Sequence, residues 1–186
     1  MESVRNTIGG LGNLMFKEAY IYSQFLDGNI PDIYLQDAKY FNGYEKEIRS
    51  RFGGGIGYLP YVSIHVRRGD YVGSTFHTDL TETDYYERAI SLFPDSRFLV
   101  FSDDTDWCCK RFSDTEKFLV KTNQTEIEDM NMMASCQNHI IANSSFSWWA
   151  AWLNPNKSKR VIALKESLWF RDGVIRTKVP STWEQI

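Results

Sequence analysis

The sequence predicts an α/β fold built on a parallel sheet, and two observations predict it. From about Tyr58 onward, apolar runs of strand length alternate with helical patterns. Such alternation forms a sheet covered by helices on both faces. The runs also end in unusual polar groups, at the strand ends where sheets of this kind bind ligands.

The elements follow in order. Gly9-Gly10-Leu11-Gly12-Asn13 precedes an amphipathic helix carrying Met15, Ala19, Tyr22 and Leu26 on one face. Gly53 to Gly57 forms a glycine-rich joint, so a small N-terminal part over 1–57 and a main domain over 58–186 are expected. Tyr61–Val66 is a buried strand. A helix is expected over Thr81–Phe93, opened by Thr81 and Asp84 placed like a capping box. Arg97–Phe101 is the second strand, Asp104–Phe112 a short helix and Lys117–Val120 a third strand. A Met-rich helix over Thr125–Gln137 opens with Thr125 and Glu128. His139–Ala142 and Arg160–Leu164 complete the strands, with the Trp-rich segment Ser145–Leu153 between them.

Composition excludes several classes. Of 186 residues, 42% are hydrophobic and 24% charged, which rules out a disordered or fibrous chain. The formal net charge of -3 and the lack of a basic stripe argue against nucleic-acid binding. No apolar stretch reaches membrane-span length, and no signal-peptide core is read, so a cytoplasmic location is expected. For the same reason the Asn143-Ser144-Ser145 glycosylation sequon is expected to be silent. Cys108, Cys109 and Cys136 have neither disulfide nor metal spacing and are expected to be reduced structural thiols.

The strand ends carry the chemistry. The first strand runs into His65-Val66-Arg67-Arg68-Gly69-Asp70, where alternation puts His65 and Arg67 on one face. Arginines ending a buried strand need anions, and a guanidinium fork suits a phosphate. An internal ion pair with Asp70 accounts for one arginine but not for both plus a histidine. Asp103 and Asp104 end the second strand; one of them is expected to cap the next helix. Asn143-Ser144-Ser145-Phe146 opens the Trp-rich helix, whose first turn offers an anion site through free N–H groups and the helix dipole. The Gly9–Asn13 loop either cradles a phosphate or is a plain tight turn.

Together these motifs resemble the alpha-1,2-fucosyltransferases of glycosyltransferase family 11. The resemblance rests on His65 to Tyr71, Phe101 to Asp104, Asn143 to Trp152 and Gly9 to Phe16, in family order. It implies a GT-B-like architecture with a Rossmann-type parallel-sheet domain, here with a reduced N-terminal lobe. Either that lobe is naturally small, or a second subunit of a homo-oligomer completes it. It also implies transfer of L-fucose from GDP-β-L-fucose to the 2-hydroxyl of a terminal galactoside, with inversion and without an obligatory metal. Carried onto this chain, Arg67 binds the diphosphate, His65 lies near the nucleoside, and Asp103 or Asp104 accepts from guanine or ribose. Ser144, Ser145 and Phe146 close over the phosphates from the helix N-terminus, Asn143 before them also binds GDP-fucose, and Gly10, Gly12 and Asn13 approach the cleft. Asp70, His77 and Asp79 are the candidates for a general base. Another nucleotide-sugar transferase, or a non-catalytic GDP-sugar or glycan-binding remnant, stand as alternatives.

Overall fold

The structure, a computed structural model, describes residues 10–27, 36–53 and 58–186, with side chains of 23–27 left aside. Gly9, Leu26 and the joint beyond Gly53 therefore lie outside what is described here. Six parallel strands form the sheet: β1 (Leu59–Val66), β2 (Phe98–Ser102), β3 (Phe118–Val120), β4 (Cys136–Ile140), β5 (Val161–Ala163) and β6 (Glu184–Gln185). Their order is β3-β2-β1-β4-β5-β6. The chain winds outward from β1 in one direction and from β4 in the other, so the order reverses between these two strands. Register is regular at the centre, with Ile64 beside both Val100 and Ile140.

The helices are α1 (Leu11–Asp27), α2 (Glu45–Phe52), α3 (Tyr85–Ser91), α4 (Thr105–Arg111), α5 (Glu126–Ala134) and α6 (Ser145–Leu153). Right-handed crossovers place α3 and α4 on one face of the sheet and α5 and α6 on the other. Tyr85 of α3 is fully buried, and its hydroxyl donates to the carbonyls of Ile141 and Ile162 at 2.7 and 3.1 Å. On the opposite face Trp148 and Trp149 of α6 are fully buried. Phe16 of α1 meets both, with ring centroids 4.6 and 4.9 Å away, and Phe41 stacks on Trp149 at 5.4 Å. The N-terminal helix thus shares its apolar core with α6. Met15 and Ala19 are buried alongside it, as the apolar stripe requires.

Two expected helices differ from the sequence reading. The expected helix over Thr81–Phe93 is broken into a 3-10 turn at Leu80–Glu82 and α3. The Thr81–Asp84 box does not form, because the Asp79 carboxylate accepts from both the backbone N–H and the hydroxyl of Thr81, at 2.9 and 2.6 Å. The Met-rich helix does have its capping box at Thr125 and Glu128, but it ends at Ala134. Beyond that, Cys136 pairs with Leu59 and the chain becomes strand. His139 is a core brace: its ring lies 2.8 Å from Ser63 Oγ and 2.7 Å from Asn154 Nδ2, and burial pushes its pKa down to about 3. The three cysteines are free, Cys108 and Cys136 buried and Cys109 exposed.

Candidate active site

A cleft of about 430 Å³ opens beyond the carboxyl ends of β1 and β4. This is the place where strand order reverses, and where open α/β sheets bind their ligands. Its floor is the end of β1. His65 is 5% exposed, and burial pushes its pKa down to about 4, so the ring is neutral. Its Nδ1 is buried with no hydrogen-bond partner, an arrangement that calls for one. Phe146 lies against it, ring to ring at 5.4 Å.

Arg67 and Arg68 follow β1 into a turn and part there. Arg67 lines the cleft. Its Nε and Nη2 reach Asp70 Oδ1 at 2.9 and 2.8 Å, and its Nη1 reaches Asp103 Oδ2 at 3.0 Å. Asp103 also accepts from the Arg68 backbone N–H at 2.9 Å. That carboxylate fits only because residue 69 is glycine: a Cβ there would stand 2.6 Å from Asp103 Oδ2. Arg68 turns away to Asp104 Oδ2 (3.0 Å) and Thr81 Oγ1 (2.7 Å), with its guanidinium 4.3 Å above the Trp107 ring. Asp70 therefore pairs with Arg67 rather than with Arg68. The turn N–H groups of Tyr71 and Val72, both bonded to the Arg68 carbonyl, bring positions 67 and 70 together.

Asp104 does not line the cleft. Its carboxylate accepts from Arg68 and from the Trp107 N–H, capping α4, and Arg68 holds its pKa below the usual carboxylate value. Asp79, spent on Thr81, is 2% exposed and is not among the cleft-lining residues either.

Two helix N-termini meet in the same cleft. Gly10, Leu11, Gly12 and Asn13 open α1, and Ser144, Ser145 and Phe146 open α6. Neither first turn carries an acidic side chain that would offset its dipole. Ser144 caps α6 by accepting from the Phe146 N–H. Ser145 Oγ donates to Asn13 Oδ1 at 2.8 Å, and Asn13 is bonded in turn by Gln36, which Thr177 holds. The helices approach so closely that a Cβ on Gly12 would lie 2.5 Å from the Phe146 nitrogen. Asn143 acts as a brace: its amide donates at 2.9 Å to the carbonyls of both Thr78 and Trp169. Being 3% exposed, it presents no usable glycosylation sequon.

His77 also lines the cleft and stacks flat on Tyr71, centroids 4.1 Å apart. Burial lowers its pKa; Asp70 opposes this, while Arg67 and Arg176 reinforce it. The imidazole is thus neutral at pH 7 and able to accept a proton. Two further residues carry no signal of their own in the sequence. Asp129 Oδ1 and Gln124 Oε1 line the cleft from α5 and the loop before it, each buried without a partner. Burial raises the Asp129 pKa to about 6, against the pull of Lys121 and with a small push from Glu128. Among the described residues, no three His, Cys, Asp or Glu side chains gather where they could hold a metal ion. Nor is any described helix long and apolar enough to cross a membrane.

The family model described as "Glycosyl transferase family 11" matches residues 33–170. Among curated proteins, the chain is 42% identical over 121 residues to an O-antigen biosynthesis glycosyltransferase, WbnK, of Escherichia coli (59% of this chain, 39% of that protein). It is 45% identical over 105 residues to an alpha-1,2-colitosyltransferase of Escherichia coli (50% and 36%). It is also 28% identical over 104 residues to the galactoside 2-alpha-L-fucosyltransferase SEC1 of Bos taurus (50% and 28%). The matched stretches span less than half the length of each of these relatives. No solved structure matches the chain.

Proposed function

The chain belongs to glycosyl transferase family 11, and from that premise we propose that it transfers L-fucose from GDP-β-L-fucose to the 2-hydroxyl of a terminal galactoside, inverting the anomeric centre. One observation carries the reading: Arg67 and the first turns of α1 and α6 converge on one cleft at the strand-order reversal. As the glycosidic bond breaks, negative charge grows on the departing diphosphate. A guanidinium fork and two helix N-termini stabilise that charge where it develops. Asp70 and Asp103 hold the fork in place before the donor arrives.

The nucleoside occupies the end of the cleft near α5. Guanine offers N1–H and a 2-amino group, and the unpaired oxygens of Asp129 and Gln124 are suited to accept from them. His65 Nδ1 faces the same donor from the floor. His77 is the candidate base, since Asp70 is engaged by Arg67 and Asp79 is buried beneath Thr81. A base here adds about 10²–10⁴-fold, less than the task of stabilising the leaving group. A colitosyl donor is the second reading, favoured by the 45% identity with the alpha-1,2-colitosyltransferase.

The test incubates the purified chain with GDP-fucose or GDP-colitose and a galactoside panel, with products read by mass spectrometry. A 2-linked product from either donor supports the reading and identifies the sugar. Tight GDP binding with no transfer to any galactoside would replace it with a binding role.

A further inference from the structure

One wall of the cleft is aromatic, and one of its rings is exposed. Phe76 lines the cleft yet remains 41% exposed. It is nevertheless fixed. Its ring packs on Phe170 at 4.9 Å and edge-on to His77 at 4.8 Å, and the Arg176 guanidinium lies 4.8 Å above it. Arg176 is itself anchored to both oxygens of Asp172, at 2.8 and 2.7 Å. The backbone is tied as well: the N–H groups of Phe76 and His77 donate to Ser74 Oγ, and the Phe76 carbonyl accepts from the Arg171 N–H at 2.9 Å. Arg171 Nε spans the Ser74 and His77 carbonyls. Holding the ring this firmly costs conformational entropy, while two fifths of the residue stays open to the cleft. Exposed apolar surface inside a polar cleft marks a ligand contact.

We propose that Phe76, backed by Phe170, is the platform on which the acceptor sugar stacks its apolar face. The inference rests on the transferase reading and extends it to the second substrate. Its neighbour favours the acceptor over the donor: Phe76 meets His77, the candidate base, ring to ring at 4.8 Å, and a base must reach the acceptor hydroxyl. The wall starts at Tyr71, whose ring is 5.8 Å from the Arg67 guanidinium, and continues through His77 to Phe76. A group past the phosphates and past the transferred sugar arrives at Phe76. The chemistry agrees. A β-galactoside carries its axial O4 on one side, leaving a patch of C–H bonds on the other that covers an aromatic ring. A sugar seated there brings its hydroxyls beside His77, the neutral imidazole next to the platform.

The test measures binding, so it does not depend on turnover. Methyl β-D-galactopyranoside is titrated into the GDP-loaded chain by saturation-transfer NMR, for the parent, Phe76→Ala and Phe76→Trp. Calorimetry gives GDP affinity, and thermal melting checks the fold. Phe76→Ala should weaken galactoside binding about fivefold or more, in the range of an aromatic contact. Phe76→Trp should retain it, and GDP affinity should be unchanged in both. Equal galactoside binding by parent and Phe76→Ala overturns the proposal, as does no galactoside signal from the parent. Parallel loss of GDP affinity also overturns it, because the ring would then serve the donor. A parent that binds GDP and galactoside through Phe76 but transfers no sugar refutes the reaction and leaves the platform standing.

Discussion

Arg67 and Arg68 are adjacent in sequence and opposite in consequence. Arg67→Ala should reduce turnover about 10²-fold or more, the loss typical of one oxyanion-type donor. Its melting temperature should scarcely move, because its carboxylate partners are solvent-accessible and such pairs contribute little. Arg67→Lys should rescue little, since a point charge cannot replace the fork. Arg68→Ala should instead lower stability by about 2 kcal/mol, through lost bonds to Asp104 and Thr81. Parallel kinetics and melting curves check both assignments. Asp129 gives a pH signature. Its carboxyl protonates below about pH 6 in the free protein, and the neutral acid is a poorer acceptor. GDP affinity should therefore fall as pH drops through 6 and stay flat above 7, and Asp129→Asn should remove the dependence; calorimetry across pH reads this. At this scale the sequence disclosed residues that follow strands. His65, Arg67, Asp103 and Ser145 were legible because a strand end fixes where a side chain goes. Asp129 and Gln124 were not: a carboxylate in an amphipathic helix looks like a solvated face until the fold brings it to a cleft. Which arginine Asp70 pairs with was not legible, because alternation stops at Val66, where β1 ends.

Among the elements, the contact between α1 and α6 has the least tolerance. A methyl group on Gly12 would meet the Ser145–Phe146 backbone, which cannot swing aside as a side chain can. Gly12→Ala should cost about 1–3 kcal/mol by overpacking and should loosen the phosphate end of the cleft. Thermal melting and GDP titration on the same sample test both effects. Element boundaries were legible where a cap was written locally. Thr125 and Glu128 opened α5 as expected, and Asp104 capped α4. They were illegible where a tertiary partner decided them. Nothing between Ala134 and Cys136 breaks a helix by composition; pairing with Leu59 does. Asp79 captured Thr81 and thereby split the expected helix before α3. The two-residue β6 is too short to show a period at all.

For the whole molecule, the proposed transfer is expected to need no divalent cation, because Arg67 and the two helix ends are the groups offered to the diphosphate. Excess chelator should leave the rate unchanged, and restoration of a lost rate by magnesium would contradict this. The parallel α/β class was legible from alternation alone. The strand order was not, since no local pattern states which strand lies beside which. That order has a consequence for how the protein is made. Asn13 and Ser145 bond across 132 positions of chain. During synthesis α1 emerges long before α6, so Phe16 has neither Trp148 nor Trp149 to pack against. Contacts of such long range form late. A nascent chain therefore carries an α1 face that Trp148 and Trp149 do not yet cover, and the paired helix ends that line the cleft come together only once α6 has emerged. Refolding assisted by a chaperone, and by the proposed nucleotide, is the outcome expected of such a late contact, and refolding yields with and without each would check it.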